Sequence, residues 1–298
     1  MMSSSLDIYT SHFGLTERPF SLVPDPAFLY WSDAHKRAFG ILEYGVVTRA
    51  PITLITGDVG AGKTTLLQEL LRSVSADVRI GLVSNAQGDR GELLRWVLLA
   101  LSQTAGPQET YVDLFGKFQS YLIAEYAAGR RVILIFDEAQ NLSRASLEEL
   151  RMFTNINAGK DELLQLILVG QPELRDIVRR PDMTQFAQRV AAAFHLSTMD
   201  APTVRAYIRH RLEIAGATEE IFAASAADMV HGATGGVPRL VNQLCDLALV
   251  YAYTKNEKRV LRLTVQQVLD DGVFFAARPA VSDAPLFLST QARVKKAE

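Results

Sequence analysis

Between Gly57 and Thr64 the chain reads Gly-Asp-Val-Gly-Ala-Gly-Lys-Thr. The spacing Gly57-x-x-x-x-Gly62-Lys63-Thr64 is that of a phosphate-binding loop. Glycines at 57, 60 and 62 free the backbone to turn the amides of Asp58, Val59, Gly60, Ala61 and Gly62 inward, and a helix beginning at Lys63 adds its own amino-terminal N–H groups to the same anion site. Lys63 has the reach to neutralise β- and γ-phosphates. The Thr64 hydroxyl supplies a hard oxygen to Mg²⁺, and Thr65 adds a first-turn amide. A glycine-rich turn that merely precedes a helix is the alternative. The flanks favour the loop: Pro51–Thr56 is an apolar, β-branched strand-like run, and the apolar positions after Lys63 continue to Leu70 and Leu71.

A second group stands further along. Val132–Phe136 is a continuous apolar run ended by Asp137 and Glu138. In open α/β sheets ligands bind beyond the carboxyl ends of the strands, so both acids are expected to face the loop. Asp137 suits a ligand of hydrated Mg²⁺, and Glu138 suits a group that orients and polarises an attacking water. Two acids after a strand also make an ordinary solvated turn; the phosphate loop tips the reading toward hydrolysis. Asn85 and Gln171 end two other apolar runs, where each either closes its strand or touches Glu138, the water or the γ-phosphate. Gly235-Gly236 breaks a helix, Pro238 suits the first turn of the next, and Arg239 falls in that turn. A cation there opposes the helix dipole by ~0.3–1 kcal/mol. It is either a tolerated surface arginine or a partner of a phosphate.

These residues need a scaffold. Strand-like runs at Ile52–Thr56, Val78–Ser84, Val132–Phe136, Leu163–Val169 and Ala192–Leu196 alternate with helix-like segments at Ala34–Thr48, Lys63–Ser73, Arg90–Gln103, Asp113–Ala128, Ser146–Asn155 and Pro172–Val178. The alternation predicts a parallel sheet with helices on both faces. From about Ala201 only helical segments follow, at 202–215, 219–231, 237–255 and 264–271, which predicts a small helical domain. The expected division is 1–50 as an amino-terminal strap and first helix belonging to the core, 51–200 as the α/β domain, 201–272 as a helical lid and 273–298 as a mobile tail, with Leu286-Phe287-Leu288 as a docking patch or a frayed end.

Composition excludes several classes. The chain has 298 residues, 48% of them hydrophobic, and a net charge of −2, so global disorder and a chain-wide electrostatic grip on nucleic acid are not expected. The single Cys245 forms no internal disulfide and fits core packing in a reducing compartment. The five histidines lack metal-ligand spacing, no apolar run has the length of a membrane span, and residues 1–5 do not read as a signal peptide.

The stretches HFGLTERPFSLVPDPAFLYWSDAHKRAF, ITGDVGAGKTTLL, LIFDEAQNLSRASLEELRMFTN, LLQLILVGQPELRDIVRRPDMTQFAQRV and GGVPRLVNQLCDLAL resemble AAA+ ATPases of the ExeA (general secretion pathway protein A) type, and the resemblance runs from about Tyr9 to Asp270. It implies a P-loop α/β fold with a parallel five-stranded sheet and a helical lid, ATP with Mg²⁺, and homo-oligomers, ring or filament, with sites at subunit interfaces. It implies Lys63 and Thr64 as Walker A, Asp137 and Glu138 as Walker B, Gln171 as sensor 1, Arg239 with Pro238 as sensor 2, Asn85 as a switch on Glu138, and Arg189 as an arginine finger. Residues around Pro24-Asp25-Pro26 resemble a strap that approaches the base. The family often carries a second arginine shortly before the His-Leu of AAAFHL, where this chain has Ala193. Secretion-linked members continue into a membrane span and a peptidoglycan-binding part that this sequence does not show, so a soluble cytoplasmic ATPase is expected.

Three functions compete. One is an assembly or regulatory ATPase serving a protein partner of an envelope export system. A second is a DNA-associated regulator resembling transposon target selectors, for which Arg130-Arg131, Arg179-Arg180, Arg209-His210-Arg211 and Lys295-Lys296 would form a basic stripe. The third, a small-molecule P-loop kinase, leaves the Gly-Gly-x-Pro-Arg lid and the Asp137-Glu138 pair unexplained.

Overall fold

In the computed structural model residues 8–23, 25–84 and 90–275 are described. The apolar runs form five strands: β1 (Ile52–Gly57), β2 (Val78–Ser84), β3 (Arg131–Asp137), β4 (Leu164–Gly170) and β5 (Val190–Leu196). All pair in parallel, in the order β2-β3-β4-β1-β5. β1 and β4 are buried along their whole length, as continuous apolar strands inside a parallel sheet must be. β2, at one edge, alternates buried and exposed positions instead.

The register fixes where chemistry can occur. Ser84 lies opposite Asp137, and Thr56 opposite Gly170, so the carboxyl ends of neighbouring strands share one edge of the sheet. Helices α1 (Asp33–Thr48) and α2 (Lys63–Ser73) cover one face, with Leu42, Leu66 and Leu70 in the core. Helices α3 (Arg90–Ala100), α4 (Tyr111–Ala127) and α5 (Arg144–Phe153) cover the other, where Phe118, Phe136 and Phe153 are buried. Local capping sets the starts. The Ser32 hydroxyl accepts from the His35 N–H at the head of α1, and Thr110 with Asp113 closes a capping box on α4. The short helix α6 (Pro172–Val178) follows β4.

The carboxy-terminal helices are α7 (Ala201–Ile214), α8 (Ala224–Thr234), α9 (Pro238–Thr254) and α10 (Arg262–Asp270). Their core contains Ile208, Val241, Leu249 and the buried Cys245. The segment 219–223, expected as the start of a helix, is not helical. Ile221 and Phe222 are buried, Val260 N–H donates to the Ile221 carbonyl (2.7 Å), and Ala223 N–H donates to the Val260 carbonyl (3.0 Å). Long-range backbone pairing overrides the local pattern there. A two-residue hairpin, Asn157–Ala158 with Asp161–Glu162, precedes β4 and has no clear signal in the sequence.

The strap behaves differently from its grouping with the sheet. Tyr9, Phe13, Phe20 and Phe28 bury in the same cluster as the carboxy-terminal helices. Polar links tie it down. Arg18 donates to Asp246 (2.5 Å), the Tyr9 hydroxyl bonds the same carboxylate, and the Arg211 Nε donates to the Pro19 carbonyl (2.5 Å). No described helix is long and apolar enough to cross a membrane. Asn85, Pro24, Leu286-Phe287-Leu288 and Lys295-Lys296 lie outside the described residues.

The turn that launches α9 depends on a missing side chain. Gly236 has φ +74°, and a Cβ built there would lie 1.8 Å from the Met199 carbonyl oxygen, whose own N–H donates to the Gly236 carbonyl (3.0 Å). Gly236→Ala should therefore destabilise the fold by about 2 kcal/mol or more, combining a left-handed strain of order 1–3 kcal/mol with a backbone clash. Urea unfolding would check this; the exposed Gly235→Ala, with φ +60° but open space around it, should cost less.

Candidate nucleotide-binding site

The loop Gly57–Gly62 turns from the end of β1 into α2. Gly60 and Gly62 have φ +79° and +98°, conformations that side-chain-bearing residues rarely adopt. Each also admits a close neighbour. A Cβ on Gly62 would meet His35 Nε2 at 2.9 Å, and one on Gly60 would meet Arg239 Cβ at 2.6 Å. The loop is thus sealed from below by α1 and from above by α9.

Lys63 opens α2 and is 6% exposed. Its ammonium donates to the Gly57 carbonyl (2.6 Å) and the Asp58 carbonyl (2.9 Å), leaving a third donor for an anion. Burial holds its pKa below the ordinary lysine range, against the opposing pull of Glu138 and Asp137. The Thr64 hydroxyl lies 3.3 Å from Asp137 Oδ2, so a hydroxyl and a carboxylate converge from α2 and β3. That pair of hard oxygens fits a Mg²⁺ that arrives with phosphate. Burial raises the Asp137 pKa, and the Glu138 N–H donating to its Oδ1 (2.9 Å) works against that rise.

Glu138 adopts φ +55°, uncommon for a residue with a side chain, and heads the turn Ala139–Asn141. Its Oε2 accepts from the Gln140 amide (2.6 Å) and from the Gln171 amide (3.3 Å). Gln171, at the end of β4, therefore does face Glu138. Arg239 sits in the first turn of α9 just after Pro238, and its backbone N–H donates to the Gly60 carbonyl (3.3 Å). Lys63, Thr64, Thr65, Glu138, Pro238 and Arg239 all line one cavity of about 220 Å³. The loop's Val59 and Gly60 line it as well, while Gly57 closes the loop at the sheet: a Cβ there would lie 2.6 Å from the Leu196 carbonyl.

The far side of the cavity is built by the strap and the helices α7 and α9, through Phe28, Tyr30, Tyr207, Arg211 and Asn242. Arg211 is buried with no carboxylate partner among the described residues. Its guanidinium stacks on Phe28 (4.7 Å) and donates to the Tyr207 hydroxyl (2.9 Å), which in turn donates to Asn242 (2.7 Å). Sequence reasoning gave no role to His35 and placed Arg211 only in a surface basic stripe, whereas Arg211 is buried. His35 is a buried imidazole whose Nδ1 meets Ser32 Oγ (2.7 Å) and whose Nε2 meets the Ala61 carbonyl (3.2 Å), and burial lowers its pKa.

Arg189 is not brought to this cavity. It precedes Val190, which pairs with Ile52, whereas the phosphate loop starts at Gly57, opposite Leu196. A strand's length, about 20 Å, separates the two ends. Arg189 donates to Glu162 (3.4 Å) and bonds the Asn155 side chain.

Residues 47–178 match the family model of the AAA domain. The chain is 37% identical over 254 residues to general secretion pathway protein A of Aeromonas hydrophila, covering 85% of this chain and 46% of that protein. It is 29% identical over 173 residues to the Mu-like prophage FluMu DNA transposition protein B of Haemophilus influenzae, covering 58% and 55%. The chain spans about half the length of these two curated relatives. Its fold superposes on Cdc6p from Pyrobaculum aerophilum with a TM-score of 0.61 over 84% of this chain and 68% of that one, at 15% identity.

Lys63→Ala removes the one buried cation of the loop. Nucleotide affinity should fall at least ten- to a hundredfold, the loss expected for a charged hydrogen bond worth ~1.5–3 kcal/mol. Unfolding without nucleotide should change little, because Lys63 bonds only loop carbonyls; calorimetric titration with ATP and a melting curve would check both halves.

Proposed function

The chain is a member of the AAA+ ATPases of the general secretion pathway protein A type, and on that premise we propose that it binds ATP with Mg²⁺, hydrolyses it, and works as an assembly or regulatory ATPase of an envelope export system in the cytoplasm. The observation that carries the nucleotide reading is the meeting of Lys63, Thr64, Glu138 and Arg239 around one cavity, with Asp137 against Thr64. In this reading 51–200 is the ATPase domain and 201–272 a lid that carries Arg239 to the phosphates; 1–50 and 273–298 flank them as strap and tail.

The division of labour follows from the side chains. Loop amides from Asp58 to Thr65 and the Lys63 ammonium hold the phosphates. Thr64 and Asp137 hold Mg²⁺, which when bound offsets phosphate charge and orients the terminal phosphoryl group. Glu138 takes the attacking water, Gln171 reports on the γ-phosphate from the end of β4, and Asn85 acts on Glu138. Arg189 serves a neighbouring subunit, because its own cavity lies a strand's length away.

The alternative, a DNA-associated regulator, is favoured by the likeness to the DNA transposition protein. The charges speak against a continuous basic stripe among the described residues. Arg130 is held by Glu125 (2.5 Å), Arg180 by Asp182 (3.1 Å), and Arg211 is buried. Retention on duplex DNA that requires ATP and falls steeply with salt would select that alternative; its absence at low salt would remove it.

Glu138→Gln should bind ATP and hydrolyse it ~10²–10⁴-fold more slowly, the usual worth of a group that activates a nucleophile. EDTA should abolish turnover of the unaltered protein. Wild-type turnover in the variant would take Glu138 out of the chemistry, and no turnover in any condition would end the hydrolase reading.

Arg189→Ala should lose turnover while retaining ATP binding, since a finger contributes ~10³–10⁵ in rate. Mixing it with Glu138→Gln should restore part of the activity: the mixed interface pairs an intact Glu138 with an intact Arg189. No rescue, together with turnover per subunit that does not depend on protein concentration, would leave Arg189 as the structural partner of Glu162.

A further inference from the structure

We infer that Gln140 is a positioning residue: its side-chain amide ties the Glu138 carboxylate to the end of β4 and so sets where that carboxylate meets the attacking water. The inference rests on the hydrolase reading above.

The geometry uses both ends of one amide. Gln140 Nε2 donates to Glu138 Oε2 (2.6 Å), and Gln140 Oε1 accepts from the backbone N–H of Gln171 (2.9 Å). One end therefore grips the acid that follows β3, and the other grips the backbone that follows β4. The Gln171 side chain donates to the same Oε2 (3.3 Å). Both donors fall on one oxygen, and Oε1 of Glu138 accepts from none of the described residues, which leaves it for water.

The backbone is shaped to allow this bridge. Glu138 takes φ +55°, which turns the chain sharply into Ala139–Asn141 and brings Gln140 back toward β4. At the end of β4 the residue is Gly170, and a Cβ there would lie 2.8 Å from Gln140 Oε1 and 3.2 Å from the Gln140 nitrogen. A side chain at 170 would push the amide away. A left-handed glutamate, a glycine and a two-ended amide thus meet at one point, and the glutamate lines the same cavity as Lys63 and Thr64. Ala139, between the two polar residues, is buried, which anchors the turn to the core on one side of the sheet.

The amide has a polarity that no other side chain of its size reproduces. Glutamate in its place presents acceptors to both partners, repelling Glu138 and losing the donor. Methionine keeps the length and loses both bonds. A displacement of about 1 Å in a reacting group is enough for a hundredfold change in rate, so loss of the tether should act on the chemical step.

The test compares Gln140→Met and Gln140→Glu with the unaltered protein, each also in a Glu138→Gln background, measuring kcat, KM for ATP, binding of a fluorescent ATP analogue and melting temperature. Expected are a ten- to a hundredfold drop in kcat for both single variants, analogue binding and KM within about threefold, and almost no further loss in the Glu138→Gln background, because the tether acts only through Glu138. Turnover within twofold of the unaltered protein for Gln140→Met would overturn the inference. So would a loss that adds fully to that of Glu138→Gln, or a fall in analogue binding as large as the fall in kcat. If Gln140→Met does not fold, Gln140→Glu, near-isosteric with the native residue, decides alone by the same criteria. Failure of the unaltered protein to hydrolyse ATP is a different result and counts against the hydrolase reading itself.

Discussion

The contact between Gly60 and Arg239 is the constraint around which the molecule is arranged. The first turn of α9 sits directly on the phosphate loop: the Arg239 N–H donates to the Gly60 carbonyl, and the absent Gly60 side chain leaves room for the Arg239 Cβ. Any side chain at 60 would push the start of α9 off the loop and open the cavity. What remains of the fold makes that approach possible. Gly236 packs on Met199 at the entry to α9, and the strap binds the outer helices through Arg18, Asp246 and Arg211. His35 and Gly62 hold the loop from the opposite side. The strap therefore shares a core with the carboxy-terminal helices and a cavity wall with the phosphate loop, and it joins the two.

The same approach concentrates charge. Two helices, α2 and α9, begin at the cavity, and the positive ends of their dipoles both lie there. Lys63 and Arg239 add cations, while Asp137 and Glu138 add anions at the end of β3. Burial works against both signs, lowering the pKa of Lys63 and raising that of Asp137. A polyanion carrying a divalent cation would answer both: phosphates would favour the charged lysine, and the metal would favour the charged aspartate. An arginine in the first turn of a helix, a small liability in isolation, becomes useful beside phosphate.

The parts of the site that lie within a few residues of each other were legible in the sequence. Gly57–Thr65 and Asp137-Glu138 carry their chemistry in their own spacing, and the register of the parallel sheet brings them together as the alternation of elements implied. Arg239 was legible as a misfit with its helix dipole. The residues that were missed act across long sequence separations. His35 meets Ala61, Arg211 meets Pro19, and Gln140 meets Gln171, contacts that no local pattern encodes. The strap shows the same limit. The sequence grouped it with the α/β core, whereas its aromatic residues bury among the carboxy-terminal helices, where Arg18 meets Asp246. Residues 219–223 read as the start of a helical segment, and the pairing with Val260 was invisible.

The central claim is that one nucleotide is held at once by the phosphate loop, the strap and the first turn of α9. Hydrogen exchange of the Glu138→Gln variant with and without ATP and Mg²⁺ tests it most directly, since that variant keeps the ligand intact during labelling. The account predicts slowed exchange in three separate stretches together: residues 57–65, the strap residues 21–23 and 25–30, and 237–242 at the head of α9. Protection confined to 57–65, with the strap and α9 unchanged, would contradict it.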